Sequence, residues 1–488
     1  MLETVREYAS ERLAGDSALA DAARHAHATH FARIATDLGP DEAAQEELDD
    51  LRRAWNHWVQ QGDLSQLNRF ADILWRALEA RGLYAATIDM ATELLEVLAS
   101  VPESPAVRAQ RVELTIKRAR AMPAIMGYSA EVEEALTGAL HMLEAEESRA
   151  TDLFSVLRSI AWLHHIRMEL GKAEEYASRM IELGEQRGDG EMRAAGHTLL
   201  GSISSLGGDL HEADSHLTHA IGWYEAHPPA PRSRNLATQS AVAAYTTSGF
   251  TLWLLGYPDR AVEQARRGVE LGERLEHPFS IAYANYHAGF LRTWRREPDI
   301  VRVHALRIMD AIAEHDVPIW RALGTCLLGA ANVALGATEE GITQFDVGIQ
   351  TYADMRTPPI FWPFLRIMQA GTYARAGRLV EAMTILDEAM ILVGDRVPQC
   401  SLLKGELLVA YPAAESGEPP SAWFRRSFEM SAAVEARMPQ LQAASALRRW
   451  GLRAGTDEGL AELRQVYQTF TEGFDTPDLT DARNLMAE

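Results

Sequence analysis

The chain has 488 residues, of which 47% are hydrophobic and 24% charged, and its 47 basic residues face 69 acidic ones for a formal net charge of -22. Such a field repels phosphate backbones and anionic lipid, which argues against nucleic acid as a partner of this segment. No apolar run approaches the roughly 18 residues of a membrane span, and strand-like runs of Val, Ile and Thr are scarce beside the helix formers Ala, Leu, Glu and Arg.

The chain opens on MLETVREYASERL, charged and amphipathic where a signal peptide would have an apolar core. Two further stretches follow before residue 63: RHAHATHFARIA, Arg24 to Ala35, and ELDDLRRAWNHWVQQGD, Glu47 to Asp63. In the first, His25, His27 and His30 are spaced two and three apart, which does not put all three on one helical face, so a metal set is not expected.

From Leu64 the text becomes repetitive. Four segments share one spacing, a small residue, then Gly seven later, then a small residue five later. They are Gly201, Gly208 and Ala213; Gly249, Gly256 and Ala261; Gly329, Gly336 and Gly341; and Ala370, Gly377 and Ala382. The outer small residues let two helices cross closely. The central Gly supplies the positive φ of a left-handed cap between them. Apolar residues at i, i+3, i+4 and i+7 complete both helices. Gly208 to Gly256 is 48 residues and Gly336 to Gly377 is 41, against roughly 34 in a standard tetratricopeptide repeat, so longer helices or inserted loops are expected. HPPAPRSRN, His227 to Asn235, and ESGEPPS, Glu415 to Ser421, read as such loops.

Weaker copies surround Gly82 and Gly171, the latter out of register by a residue or so. Between Tyr283 and Leu306, Gly289 is kept but Arg296 stands where the turn Gly belongs, with Pro298 fitting the first turn of the next helix. The expectation is an all-α fold, a right-handed α-solenoid of tetratricopeptide-like antiparallel helix pairs. It divides into N-terminal helices over 1–63, nine or ten pairs over 64–472 and a C-terminal capping segment over 473–488. The A helices would line a concave groove. Cys326 and Cys400 lie in apolar helical text without metal-ligand spacing and read as reduced core thiols of a cytoplasmic protein.

Three stretches go beyond a generic repeat. The succession over Leu2–Asp63 resembles the junction of bacterial multidomain signal-transduction ATPases, where similar text closes a winged-helix subdomain and leads into repeats. WLLGYPDRAVEQARRGVELGERLEHPFSIAYA, Trp253 to Ala284, and RQVYQTFTEGFDTPDLTDARNLM, Arg464 to Met486, resemble the repeat region attached to predicted ATPases and class III adenylate or guanylate cyclase-type regulators. The resemblance implies a sensor region whose binding events control an attached ATPase or output domain. The engine of that family is missing, since no G-x-x-x-x-G-K-[ST] phosphate loop occurs and LGKAEE at Leu170 lacks both the upstream Gly and the hydroxyl residue. The chain therefore reads as the detached regulatory part of a larger protein.

No nucleophile elbow or paired catalytic carboxylate is supported by its context, and neither catalytic residues nor a cofactor are expected. His164 and His165 sit in the apolar helix WLHHIRM, one expected toward the core and one toward the groove. Counting the first small residue of each repeat as position eight makes positions two, five, nine and twelve face the groove. This selects Thr246, Phe250 and Trp253, then Tyr283, Tyr286 and Phe290, and near PPIFWPF, Phe364 and Ile367. An aromatic groove suits an amphipathic helix or an extended peptide. The same aromatics would also fill the tight inner wall of a superhelix. Position nine reads Ser202, Phe250, Phe290, Ala330 and Gly371, without the Lys/Asn set that clamps a carboxylate tail. Arg292, Arg295 and Arg296, and Arg448, Arg449 and Arg453, read as helix-end partners for the acidic excess. The expected partner is a protein or peptide, with a small-molecule effector as a further option and a homodimer left open. A free-standing tetratricopeptide adaptor is the alternative to the sensor reading, and an enzyme built on a helical toroid is a third that no motif favours.

Overall fold

The computed structural model describes residues 17–35, 47–81, 83–144, 150–229, 236–315, 317–355, 361–394, 397–413 and 417–488. The stretch Leu2–Leu13, the turn at Gly82 and parts of the loops and Pro-rich text at 230–235, 358–360 and 414–416 lie outside them. Among the described residues every regular element is helical, and no helix is long and apolar enough to cross a membrane. The chain forms two compact units, Met1–Asp152 and Leu153–Glu488.

The first unit holds α1 (Ser17–Ile34), α2 (Leu48–Gln61), α3 (Leu64–Ala80), α4 (Tyr84–Ala99), α5 (Pro105–Met126) and α6 (Ala130–Glu144). The text of α2 buries Leu48, Leu51, Trp55 and Trp58 on one face, and these share one core with Leu67, Leu74 and Leu78 of α3 and Leu94 of α4. Both indoles also find acceptors: Trp55 Nε1 donates to Glu93 at 2.8 Å and Trp58 Nε1 to the Ala28 carbonyl at 3.3 Å. Gly62 ends α2 with φ 65°, and Ser104 starts α5 by accepting from the Val107 amide at 3.2 Å. His27 meets Asp50 at 3.1 Å and His25 meets His57 at 3.4 Å.

The second unit begins within α7 (Ala150–Ile166). Its helix pairs are α7 with α8 (Leu170–Arg187), α9 (Gly190–Gly207) with α10 (Leu210–Ala226), α11 (Leu236–Leu254) with α12 (Pro258–Arg274), and α13 (Pro278–Trp294) with α14 (Pro298–Ala311). Then come α15 (Pro318–Ala334) with α16 (Thr338–Asp354), α17 (Phe361–Arg375) with α18 (Leu379–Val393), α19 (Pro398–Ala410) with α20 (Pro420–Ala433), and α21 (Arg437–Ala454) with the short α22 (Leu460–Tyr467). A final helix, α23, spans Pro477–Ala487. From α8 onward, packing is mainly between sequence neighbours and between each odd-numbered helix and the next odd one, the contact pattern of an α-solenoid.

The seven-and-five spacing does what its residue types require. A Cβ on Gly329 would stand 2.6 Å from both the Gly341 carbonyl and the Phe345 amide, and one on Gly249 would stand 2.9 Å from the Ala261 carbonyl. Backbones therefore touch at the crossing points, where a side chain would force the pair apart. Gly208, Gly256, Gly336 and Gly377 all have positive φ, between 79° and 96°. In each turn the amide after the Gly bonds a carbonyl five residues back: Asp209 to Ser204, Tyr257 to Leu252, Ala337 to Asn332 and Arg378 to Tyr373, at 2.8–3.0 Å.

Two turns within helix pairs adopt the same geometry without Gly. Arg296 has φ 58° and Glu297 N–H reaches the Arg292 carbonyl at 3.1 Å; Met168 has φ 60° and Glu169 N–H reaches the His164 carbonyl at 2.9 Å. Met168, not a residue near Gly171, is thus the turn residue of its pair. It stands seven after the buried Ala161 and five before the buried Ala173. With these two turns included, the interval from Met168 to Gly208, from Gly256 to Arg296 and from Arg296 to Gly336 is 40 residues. The 48-residue interval contains the loop after His227. The long period is a property of the pairs themselves, whose helices commonly run to 17 residues.

The odd-numbered helices from α11 to α21 complete one turn of the superhelix. Each touches the next, and α21 touches α11. At that seam Leu252 and Trp253 at the end of α11 share a core with Met438 and Leu441 at the start of α21 and with Leu463, Val466, Phe470, Leu479 and Leu485 beyond it.

Candidate functional site

The inner face of this turn is built from α11, α13 and α17. The text of α13, PFSIAYANYHAGFLRTW, places Tyr283, His287, Phe290 and Trp294 at i, i+4, i+7 and i+11, one stripe of a 3.6-residue helix. All four keep partial exposure, whereas Tyr286, one turn-step off the stripe, is only 2% exposed. Phe290 meets Phe250 of α11 at 5.9 Å and Phe364 of α17 at 6.3 Å between ring centroids. On α15 the residue at the position of Phe290 is Ala330. Trp294 stands edge-on to Phe250 at 5.7 Å and to Trp253 at 5.1 Å. Phe361 adds an edge contact to Tyr286 at 5.5 Å. The result is a continuous aromatic wall across three helices, with offset and edge-on pairs of the kind that aromatic quadrupoles favour.

The expected residues divide within this wall. Phe250, Tyr283, Phe290, Phe364 and Ile367 keep accessible surface. Thr246, Trp253 and Tyr286 are at most 3% exposed and act as packing beneath it. Thr246 turns its hydroxyl back to the Val242 carbonyl at 3.1 Å, and Trp253 is fully buried in the seam core. The accessible register is positions two, six, nine and thirteen, one residue later than expected at two places. That shift brings in His287 and Trp294, which the position count passed over. The signal was present, since four aromatic rings at spacings of four, three and four mark a helical stripe. Along α17 the register continues through Gly371, where a Cβ would meet nothing within 4 Å, to Arg375.

A charged rim adjoins the wall where the A helices end. Arg296 bonds Asp478 at 3.2 Å and Asp481 at 3.0 Å, and Arg449 bonds Asp481 at 3.2 Å. Gln442 donates to Asp478 at 3.3 Å. Glu406 on α19 stands within electrostatic range of Arg449, Arg296 and Arg375. Burial by the surrounding protein nevertheless raises its carboxyl above the usual range, with Asp478 adding to the effect and the three arginines opposing it. Burial likewise raises the Asp478 carboxyl, against Arg296 and its Gln442 hydrogen bond. Arg292 and Arg295 pair with Glu297, and Arg295 also donates to the Pro258 carbonyl at 2.8 Å. Arg448 donates to the Leu485 and Thr456 carbonyls at 3.2 and 3.1 Å. The basic clusters thus serve helix ends and the seam.

His164 and His165 correct one expectation, since both are buried at 3% exposure. His164 meets Glu169 at 2.8 Å and stacks on Tyr176, and His165 meets the Ser202 hydroxyl at 2.9 Å. Burial lowers His165 to about 4. A Ser–His pair sealed between α7 and α9 has no route to a substrate. Cys326 and Cys400 are buried and unpaired, and burial raises Cys400 to about 12, far from a reactive thiolate.

No protein-family model and no curated protein sequence matches the chain. Solved structures do resemble it. A Rap protein complexed with Competence and Sporulation Factor aligns with TM-score 0.49 and 13% identity over 77% of this chain and 99% of that one. The Rap conjugation gene regulator of plasmid pLS20 in complex with the Phr* peptide aligns at 0.43 and 12% over 78% and 94%. Yeast Tom70 aligns at 0.36 and 13% over 94% and 96%.

Proposed function

We propose that this chain is a non-catalytic binding module that takes a peptide or protein segment against the inner aromatic wall of its second unit. The observation that supports this reading is the accessible stripe Tyr283, His287, Phe290 and Trp294, extended sideways by Phe250 and Phe364. A ligand covering about 300 Å² of that apolar wall would gain about 7 kcal/mol at 25 cal/mol per Å². After the costs of association this leaves reversible binding, which suits a switch. Selection from a displayed library of random peptides tests the reading. Enriched peptides are expected to bind Phe290→Ala and Phe364→Ala variants at least about tenfold more weakly, a loss of about 1.4 kcal/mol. Equal binding to wild type and both variants would overturn it.

A regulatory role deepens the same reading. In it, binding biases an attached ATPase or cyclase-type output domain, in the cytoplasm, by favouring one of two states of the parent protein. It is supported by the resemblance of Trp253–Ala284 and Arg464–Met486 to the repeat region of such regulators, and by the contact those two stretches make with each other. A selected peptide should change ATP turnover when this chain is joined to an ATPase domain of that family, and an unchanged turnover at saturating peptide would remove the regulatory role while leaving the binding module.

A further inference from the structure

The inner row runs on past the aromatic wall into charge. A Cβ on Gly405 of α19 would run into Phe424 of α20, as one on Gly329 would run into Phe345 of α16. Arg448 of α21 is buried and stands seven before the left-handed turn residue Gly455. Gly405 and Arg448 therefore occupy position eight of their pairs, and Glu406 and Arg449 occupy position nine. Around the turn that position reads Phe250, Phe290, Ala330, Gly371, Glu406 and Arg449. Two rings are followed by two residues with almost no side chain, then by an acid and a base.

Most of the neighbouring charge is already engaged. Glu472 accepts from the Asp259 and Arg260 amides at 2.9 and 3.0 Å, and Asp259 accepts from the Gly473 amide at 2.9 Å. These bonds anchor the approach to α23, whose Asp478 and Asp481 bind Arg296 while Asp481 also binds Arg449. Two groups are left over. Among the described residues, neither Glu406 nor Arg375 has a hydrogen bond or an ion pair. Both keep solvent-accessible surface, but their situations differ. Arg375 has no shortage of water. Glu406 is surrounded closely enough that its carboxyl is raised despite three arginines within range. An acid that has lost hydration and gained no hydrogen bond is the group that a ligand cation would relieve.

We propose that Glu406 is the specificity anchor of the inner wall, taking the cationic head of a lysine or arginine in a peptide segment whose neighbouring apolar side chains lie on Phe290 and Phe364. The assignment deepens the binding reading above and rests on it. The row supplies the room. A Cβ on Gly371 would meet nothing within 4 Å, so the space between Phe364 on α17 and Glu406 on the adjoining α19 is left unfilled. Adjoining helices lie about 8–10 Å apart, the span of about three residues of extended chain, so the basic residue stands within about three positions of the apolar one. The charge supplies the sign. Arg296 and Arg449 are held by Asp478 and Asp481, which leaves Glu406 as the enclosed group without a counter-ion in contact. The net charge of -22 favours the same sign of partner at long range.

The test uses peptides enriched from the displayed random library on the full wild-type chain. Each is resynthesised with its Lys or Arg replaced by Met, and both forms are titrated into wild type, Glu406→Gln and Arg375→Gln. Enriched peptides are expected to carry a Lys or Arg within about three residues of an aromatic or aliphatic one. The Met replacement should weaken binding to wild type at least about tenfold and binding to Glu406→Gln at most about twofold, a coupling that a double-mutant cycle isolates. Arg375→Gln should bind the parent peptides at least as well as wild type does. Without ligand, Glu406→Gln should melt no lower than wild type, because the carboxylate has no bond to lose. A fall of more than about 3 °C would make that carboxylate a structural partner of the arginines and overturn the assignment. Peptides that depend on Phe290 and Phe364 but carry no basic residue, or acidic peptides that depend on Arg375, would also overturn it while leaving the binding module standing. Failure of any peptide to enrich removes the binding module itself, and the anchor with it.

Discussion

The turns at Gly208, Gly256 and Arg296 and those at Gly336 and Gly377 share one backbone geometry, yet they have different fates. Gly208 lies under Val434, Gly256 under Arg437 and Phe470, and Arg296 holds Asp478 and Asp481. At Gly336 and Gly377 a Cβ would meet nothing within 4 Å. The first three turns are an edge on which the end of the chain stacks, and the other two face water. A turn motif therefore specifies its own bend and says nothing of what covers it. The cover is specified elsewhere, by Val434, Phe470, Glu472 and Asp478.

The largest expected effect comes from the core beneath the covered edge. Trp253→Ala should cost about 4 kcal/mol, because a fully buried indole linking α11 to the C-terminal helices is lost. Val333 occupies the same place in the repeat with an open turn, and Val333→Ala should cost about 2 kcal/mol. Denaturant midpoints at constant m-value measure both, and equal losses would erase the distinction between the two edges.

Acid should separate the two regions next. All 16 histidines precede residue 316. Burial lowers His165, His197, His287 and His304 to about 4. A depressed imidazole binds its proton less readily in the folded state, so stability falls as pH drops from the unfolded value near 6.5 toward 4. For the buried His165 that loss reaches about 3 kcal/mol at pH 4. Hydrogen exchange between pH 6.5 and 4.5 should therefore loosen 190–311 before 318–393. Simultaneous loosening would break the contrast.

At the turns themselves, Gly336→Ala should cost about 1 kcal/mol for the left-handed backbone, less what the unfolded chain loses in freedom. Gly256→Ala should cost about 2 kcal/mol, since its Cβ would also stand 3.0 Å from that of Arg437. Thermal melts of the two variants compare them directly. The smallest effect belongs to Arg296→Gly. Relief of about 1 kcal/mol at φ 58° is offset by the loss of two ion pairs, so overall stability should move by less than about 0.5 kcal/mol while seam exchange quickens. A clear rise in stability with unchanged seam exchange would mean that the pairs hold nothing.

Much of the site was legible one helix at a time. The stripe through Tyr283 and Phe290 on α13 followed from residue type and spacing, because residues seven apart on a helix share one face. The one-residue shift that buries Thr246, Trp253 and Tyr286 and presents His287 and Trp294 was not legible, because the face a helix buries is set by its neighbours on both sides. Trp253 turns inward only because Met438 and Phe470 arrive to cover it.

The helices, the close crossings at Gly249 and Gly329, and the left-handed turns are all encoded locally, since each depends on residues within about a dozen positions. The sequence even carried the turns at Met168 and Arg296, visible once spacing is weighed above residue type. Three features emerge only on folding: the superhelix meets itself, TEGFDTPDL docks on GYPDR, and Glu472 caps a helix begun more than 200 residues earlier. Those contacts have no period and no local signature. They arise where the accumulated curvature of six helix pairs brings one edge back over another, and curvature is a sum over packing angles that no single repeat contains.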